Sequence, residues 1–301
     1  MSPQAVPSPE PQLAAHSPET GSARRRRSRI ALSAAGRVGL ALVVFWMIVA
    51  LLGPWIVPHR PGAVVSSEVF APMSLRFPLG TDFLGRDMLS RILIGARYTV
   101  GLALAAALAA SLAGTVLGLL VAISGRWVEE VASRILDAII CIPSKIFALV
   151  MVAAFGSSVS LLLLTAAISY TPGAFRIARS LAVNLSVTDY VQAARVRGER
   201  RLHVACIEML PNMIHPMLAD FGLRFMFIVL LLSGLSFLGL GVQPPAADLG
   251  SLIRENISGL GEGAPAVILP AIAIATLTIG VNLMIDALPG RGRRTEGGGT
   301  A

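Results

Sequence analysis

The 301-residue chain is 54% hydrophobic and only 14% charged, with a mean hydropathy of +0.73. That composition excludes a soluble globular domain, which needs far more charged surface. Its apolar runs are continuous, whereas a membrane β-barrel would show alternating segments of about ten residues. The net charge of +8 is carried by arginine, with Lys145 the single lysine. Those arginines flank apolar runs, which favours control of membrane topology over nucleic-acid binding.

Residues 1–35 are rich in Pro, Ser, Ala and Arg and carry "RRRRSR" toward their end. They cannot bury a core, so a disordered basic arm is expected. The run Val38–Val57 is too long for the apolar part of a signal peptide, about 7–15 residues, and reads as a retained first span. It is followed by a Pro-rich loop, so that 36–97 form the first span and an extracellular loop. Further spans are expected at Tyr98–Ile123, Ile135–Phe155, Val159–Phe175, Pro216–Leu240 and Ala264–Leu288. The result is an all-α, polytopic bundle of six transmembrane helices, with a five-span core over 98–288 and a tail over 289–301. With the N-terminus inside, 17 arginines fall on the cytoplasmic side and six outside. That asymmetry places both termini in the cytoplasm.

The same orientation puts the polar stretch "DYVQAARVRGERRLHVACIEMLPN", beginning at Asp189, in the cytoplasm. Asp189 and Gln192 have the spacing of a capping box, and Gly198 is a natural helix stop. Tyr190, Val191 and Ala194 share one helical face. A helix of about two turns is unstable alone in water, so it must pack on its own base, a partner, or both. Ala193 and Ala194 permit close approach. A second amphipathic piece leads to Leu210 and Pro211. On these residues alone, an ordinary helix lying on lipid headgroups is an equal reading.

"QAARVRGERRLHVACIEMLP" resembles the EAA motif of ABC importer permeases, through Ala193, Ala194, Gly198, Leu210 and Pro211. It departs at Gln192, which replaces the first Glu, and at Glu208, which occupies an apolar position. "LGTDFLGRDMLSRILIGARYT" and "LSFLGLGVQPPAADLGSLI" resemble the C-type subunit of the dipeptide, oligopeptide and nickel permease family. The resemblance spans roughly residues 30–288; the ending "NLMIDALPGRGRR" is shorter than the family's usual one. It implies a type I ABC importer permease fold, and a coupling helix near 180–211 that docks on an ATPase. The coupling residues carried over are Asp189, Tyr190, Gln192, Ala193, Ala194, Gly198, Leu210 and Pro211. The implied partners are a second homologous permease, two cytoplasmic ATPase subunits and an extracytoplasmic solute-binding protein, all at a bacterial cell membrane. Substrates of such permeases include peptides, nickel chelates, opines and glutathione.

The sequence holds no G-x-x-x-x-G-K-[ST] phosphate loop, so ATP hydrolysis is expected on other chains. No catalytic, cofactor-binding or metal-ligating residue is singled out; His203 and His215 lack a partner at metal-ligand spacing, and Cys141 and Cys206 suggest no disulfide. An ion-gradient-driven secondary transporter is the alternative, but no internal repeat supports it. A membrane-embedded enzyme would need a clustered His, Glu or Ser constellation. A purely structural scaffold would not explain the cytoplasmic motif. Asp137 and Lys145, near the third span, and Asn282, in the last, either line a pathway or pair with another helix. Asp286 has the same two readings, or simply sits at the cytoplasmic interface. Asp220 and Arg224 could pair at i,i+4 spacing. Gly114 and Gly118 form a small-xxx-small pair for helix packing. "TDFLGRD" reads as an ordering element before the second span.

Overall fold

The computed structural model describes residues 33–60 and 62–287. The expected tail, and all but the last residues of the basic arm, lie outside the described residues. Ten helices follow in chain order: α1 (Ala34–Ile56), α2 (Met88–Ile123), α3 (Arg126–Ile140), α4 (Ser144–Phe155), α5 (Val159–Ser186), α6 (Asp189–Val196), α7 (Arg201–His203), α8 (Leu210–Phe237), α9 (Leu249–Glu255) and α10 (Pro265–Asp286). A π turn, Val204–Met209, joins α7 to α8, and a 3-10 turn, Ile257–Glu262, precedes α10. The architecture is all-α.

Five elements are long and apolar enough to cross a bilayer: α1, α2, α5, the continuous run Arg201–Phe237, and α10. The sixth expected span is broken. Helices α3 and α4 meet at a bend of 80°, and neither alone covers the ~30 Å of a hydrocarbon core. The break falls at Pro143, which offers no N–H and takes an extended ψ of 126°. The total is six only if the bent pair counts as one span.

Boundaries also differ from the hydropathy pattern. Helix α2 starts ten residues before Tyr98, because Asp87 caps it by accepting from the Ser90 N–H. At 36 residues, or about 54 Å, it outreaches the hydrocarbon layer. Helix α5 runs past Phe175 to Ser186. Helix α8 begins at Leu210 and carries Pro216 inside it. Charged residues near these ends obscured helices that continue beyond the membrane.

The tightest packing joins α2 to α5. A Cβ at Gly114 would collide with that of Ala174 and lie 2.7 Å from the Phe175 nitrogen; one at Gly118 would lie 2.8 Å from the Ala178 Cβ. The missing side chains let the two backbones touch, the expected use of this spacing in membranes. Gly114→Val is expected to separate α2 from α5 and lower the detergent melting temperature by several degrees or more. An unchanged melt would contradict this packing. On the other flank, α1 lies along α10, and the Trp46 indole donates to Thr276 Oγ1 at 3.0 Å.

Candidate functional site

The polar stretch folds as a short helix on a pedestal. Helix α6 is capped by Thr188, not Asp189, and Thr188 makes no side-chain capping bond. The Thr188 hydroxyl instead donates to the Leu185 carbonyl at 2.6 Å. Asp189 occupies the first turn, where its charge complements the helix dipole. The expected capping box is therefore absent. The stop at Gly198 is a Schellman motif. Gly198 has φ +81°, its N–H donates to Arg195 O at 3.0 Å, and Glu199 N–H donates to Ala194 O at 3.2 Å.

Val191 and Ala194 are fully buried. They join Ala178 and Ala182 of α5, Val204, Ala205 and Met209 of the π turn, and Met213 and Met217 of α8 in one apolar cluster. Tyr190, expected on that face, is instead 39% exposed. Asp189, Gln192, Ala193 and Val196 are also exposed. The two alanines thus have opposite roles: Ala194 seals α6 to its own base, and Ala193 faces outward.

The second amphipathic piece is continuous with α8. Leu210 N–H donates to the Ala205 carbonyl, five residues back, and Pro211 has no N–H to offer. The ladder slips by one residue, which defines the π turn, and such turns recur at functional sites. Asn212 Nδ2 donates to the Glu208 carbonyl at 2.7 Å. Leu210 is half-buried and Pro211 exposed. The Glu208 side chain lies 3.9 Å from Arg197, which also binds Glu199 at 2.7 Å. A basic loop thereby accommodates a carboxylate at an ordinarily apolar position.

Residues considered for the pathway do not converge. Asp137 accepts from Arg176 Nη2 of α5 at 2.7 Å; Lys145 lies beyond the bend and is exposed. A parallel pair joins Arg179 to Glu129, so α3 is tied to α5 through charges. Asn282 and Asp286 are exposed on α10.

Two polar clusters were only partly legible in the sequence. In the first, Asp82 is fully buried within "TDFLGRD". It accepts from Arg86 Nε at 2.6 Å and Arg91 Nη1 at 2.8 Å, and both arginines also bind Glu255 of α9. Phe83 N–H donates to Asn256 Oδ1 at 3.0 Å. The network locks the loop before α2 to α9, 169 residues away. Arg91→Leu is expected to cost roughly 1–3 kcal/mol, because the buried Asp82 loses one charged partner and keeps Arg86. Thermal melting should show this loss; an unchanged melt would contradict it. Nearby, Asp248 caps α9 and accepts from Ser236 Oγ at 2.6 Å and Ser251 N at 2.8 Å. Burial raises its carboxyl pKa, and these donors only partly offset the effect.

The second cluster is the pair expected on α8. Arg224 donates to both Asp220 oxygens, at 2.6 and 2.9 Å, and to the Tyr170 carbonyl of α5 at 2.7 Å. The spacing predicted the pair, but nothing local pointed to Tyr170.

A bundle of apolar helices long enough to cross a bilayer, joined by a short polar helix, defines a multi-pass membrane protein. Residues 114–294 match the family described as binding-protein-dependent transport system inner membrane component. The chain is 32% identical to the dipeptide transport system permease protein DppC of Escherichia coli over 257 residues, 83% of this chain and 86% of that one. It is 31% identical to the di/tripeptide transport system permease protein DppC of Pseudomonas aeruginosa, covering 83% and 84%. It is 29% identical to the dipeptide transport system permease protein DppC of Alkalihalophilus pseudofirmus, covering 94% and 91%. The chain belongs to the binding-protein-dependent transport system inner membrane component family, and its role is that of a transport permease subunit. The secondary-transporter alternative finds no support in these matches.

Proposed function

We propose that this chain is one of two membrane subunits of an importer for peptides or related small solutes, with ATP hydrolysed by two partner chains. A solute-binding protein delivers the substrate from outside. The observation that carries this reading is the two-sided construction of α6. One face is sealed to α5 and α8 through Val191 and Ala194, and the other leaves Tyr190, Gln192 and Ala193 exposed. Such an element transmits a push: whatever grips the outer face moves the bases of two membrane helices. Gly198 sets where α6 stops, Asp189 places its charge in the first turn, and Leu210 and Pro211 lead the chain into α8. The peptide class is supported by the names of the relatives. Lys145 and Asn282, exposed on the isolated chain, and the half-buried Asp137 are proposed to face the second permease or the solute path.

Purification from its own membranes tests this reading. ATPase subunits should accompany the chain, and the complex in vesicles should import labelled di- or tripeptides only with ATP and the binding protein. The clean single chain should hydrolyse no ATP; hydrolysis by it would sink the division of labour. Reporter fusions after Gly125 and Gly198 should report cytoplasm and one near Val65 the outside. An external signal at Gly198 would end the coupling reading.

A further inference from the structure

We infer that Arg224, Asp220 and the Tyr170 carbonyl form a clamp that makes α5 and α8 shift as one body, carrying movement of α6 into the membrane. The inference rests on the proposed coupling role of α6. Asp220 and Arg224 are both buried. Arg224 lies about 21 Å along α8 from Leu210, deep in a helix that crosses the bilayer. Charges at such depth are costly and mark functional positions.

The geometry is that of a cross-brace. Asp220 holds the guanidinium in a fork from the same helix, and the third contact reaches the backbone of α5. Gly173 makes that reach possible, since a Cβ there would lie 2.8 Å from Arg224 Nη1 and 3.2 Å from Nη2. Toward the loop, Ala178 and Ala182 of α5 and Met213 and Met217 of α8 share the cluster that seats α6. The two helices that leave α6 in opposite directions along the chain are thus joined twice: by apolar packing beneath it, and by the clamp deeper in the membrane. Asp220 fixes the guanidinium from within α8, and the hydrogen bond from Arg224 to the Tyr170 carbonyl is the polar link that crosses to α5 and sets the register of the two helices there. Arg224 and Asp220 are positioning residues on this account, and neither touches solute.

Two variants separate this role from a merely structural one. Asp220→Leu with Arg224→Met removes both charges at similar volume, a change that often leaves stability unaltered. Gly173→Ala keeps the pair but pushes the guanidinium off Tyr170. Each is placed in the full complex with its ATPases and binding protein, in vesicles, beside wild type. Both should assemble at wild-type yield and keep basal ATP hydrolysis. Labelled peptide imported per ATP hydrolysed should fall at least about fivefold, the low end of coupling between sites, and stimulation of hydrolysis by the binding protein should fall with it. A smaller fall in either assembled variant overturns the clamp. So does failure of both to assemble, which would make the pair a folding requirement. If the wild-type chain brings down no ATPase, the coupling reading itself fails, and that is visible without any variant.

Discussion

Gly198→Val is expected to abolish ATP-driven uptake and ATPase copurification while the chain still inserts at normal levels. Gly198 sits at φ +81°, where an ordinary side chain costs about 1–2 kcal/mol and a β-branched one more. Crowding is not the reason, since no heavy atom lies within 4 Å of the position a Cβ would take. The strain falls on the backbone alone. Relieving it breaks the bonds from Gly198 and Glu199 back to Arg195 and Ala194, and the chain leaves α6 in a new direction. Arg201, which starts the run into α8 three residues later, is displaced with it. The atoms of the broken bonds lie outside the apolar spans and the displacement reaches only the polar start of the run into α8, so insertion is untouched. Gly198→Asn is the control: Asn tolerates the left-handed region and should keep most of the uptake. Membrane level, pull-down of the ATPase and peptide uptake measure the outcome. Full uptake by the valine variant would show that the exit angle of α6 carries nothing.

The expected all-α bundle needed only composition and run length, because lipid leaves a spanning chain few alternatives to helix. The run lengths misled at the ends. Arg91 and Arg97 made the first turns of α2 look like loop, but Arg91 is neutralised by Asp82 and Glu255, which come from elsewhere in the chain. Hydropathy counts a charge and is blind to its partner. The bend at Pro143 failed for another reason: apart from Ser144 and Lys145 the flanking residues are apolar, so the run reads as one span across the break. In the loop, Gly198 was legible because a left-handed stop is a local property. The cap was not, since Asp189 and Thr188 are both good cap residues and tertiary packing set the register by one residue. The reach of Arg224 to Tyr170 spans 54 residues, and no pattern in one sequence encodes it.

Ala193→Trp and Ala194→Trp are expected to differ in a stability assay and to give the same result in a pull-down. Ala194 was expected to meet a partner, but the structure buries it completely in the cluster under α6. An indole cannot enter that cluster without displacing Val204 or Met209, and overpacking costs typically about 1–3 kcal/mol even for small additions. Ala194→Trp should therefore lower the melting temperature and unseat α6, and ATPase association should go with it. Ala193 lies about 100° round the helix from Ala194 and is exposed, so a tryptophan there projects away from the buried cluster. Ala193→Trp should melt like wild type. On the proposed docking it obstructs a close contact between two proteins, so pull-down and uptake should still be lost. A headgroup-bound helix would behave otherwise, because an aromatic ring at the membrane interface is tolerated or favoured. Normal melting combined with normal association and uptake in Ala193→Trp would remove the outer face of α6 from the docking surface and favour the lipid-surface reading.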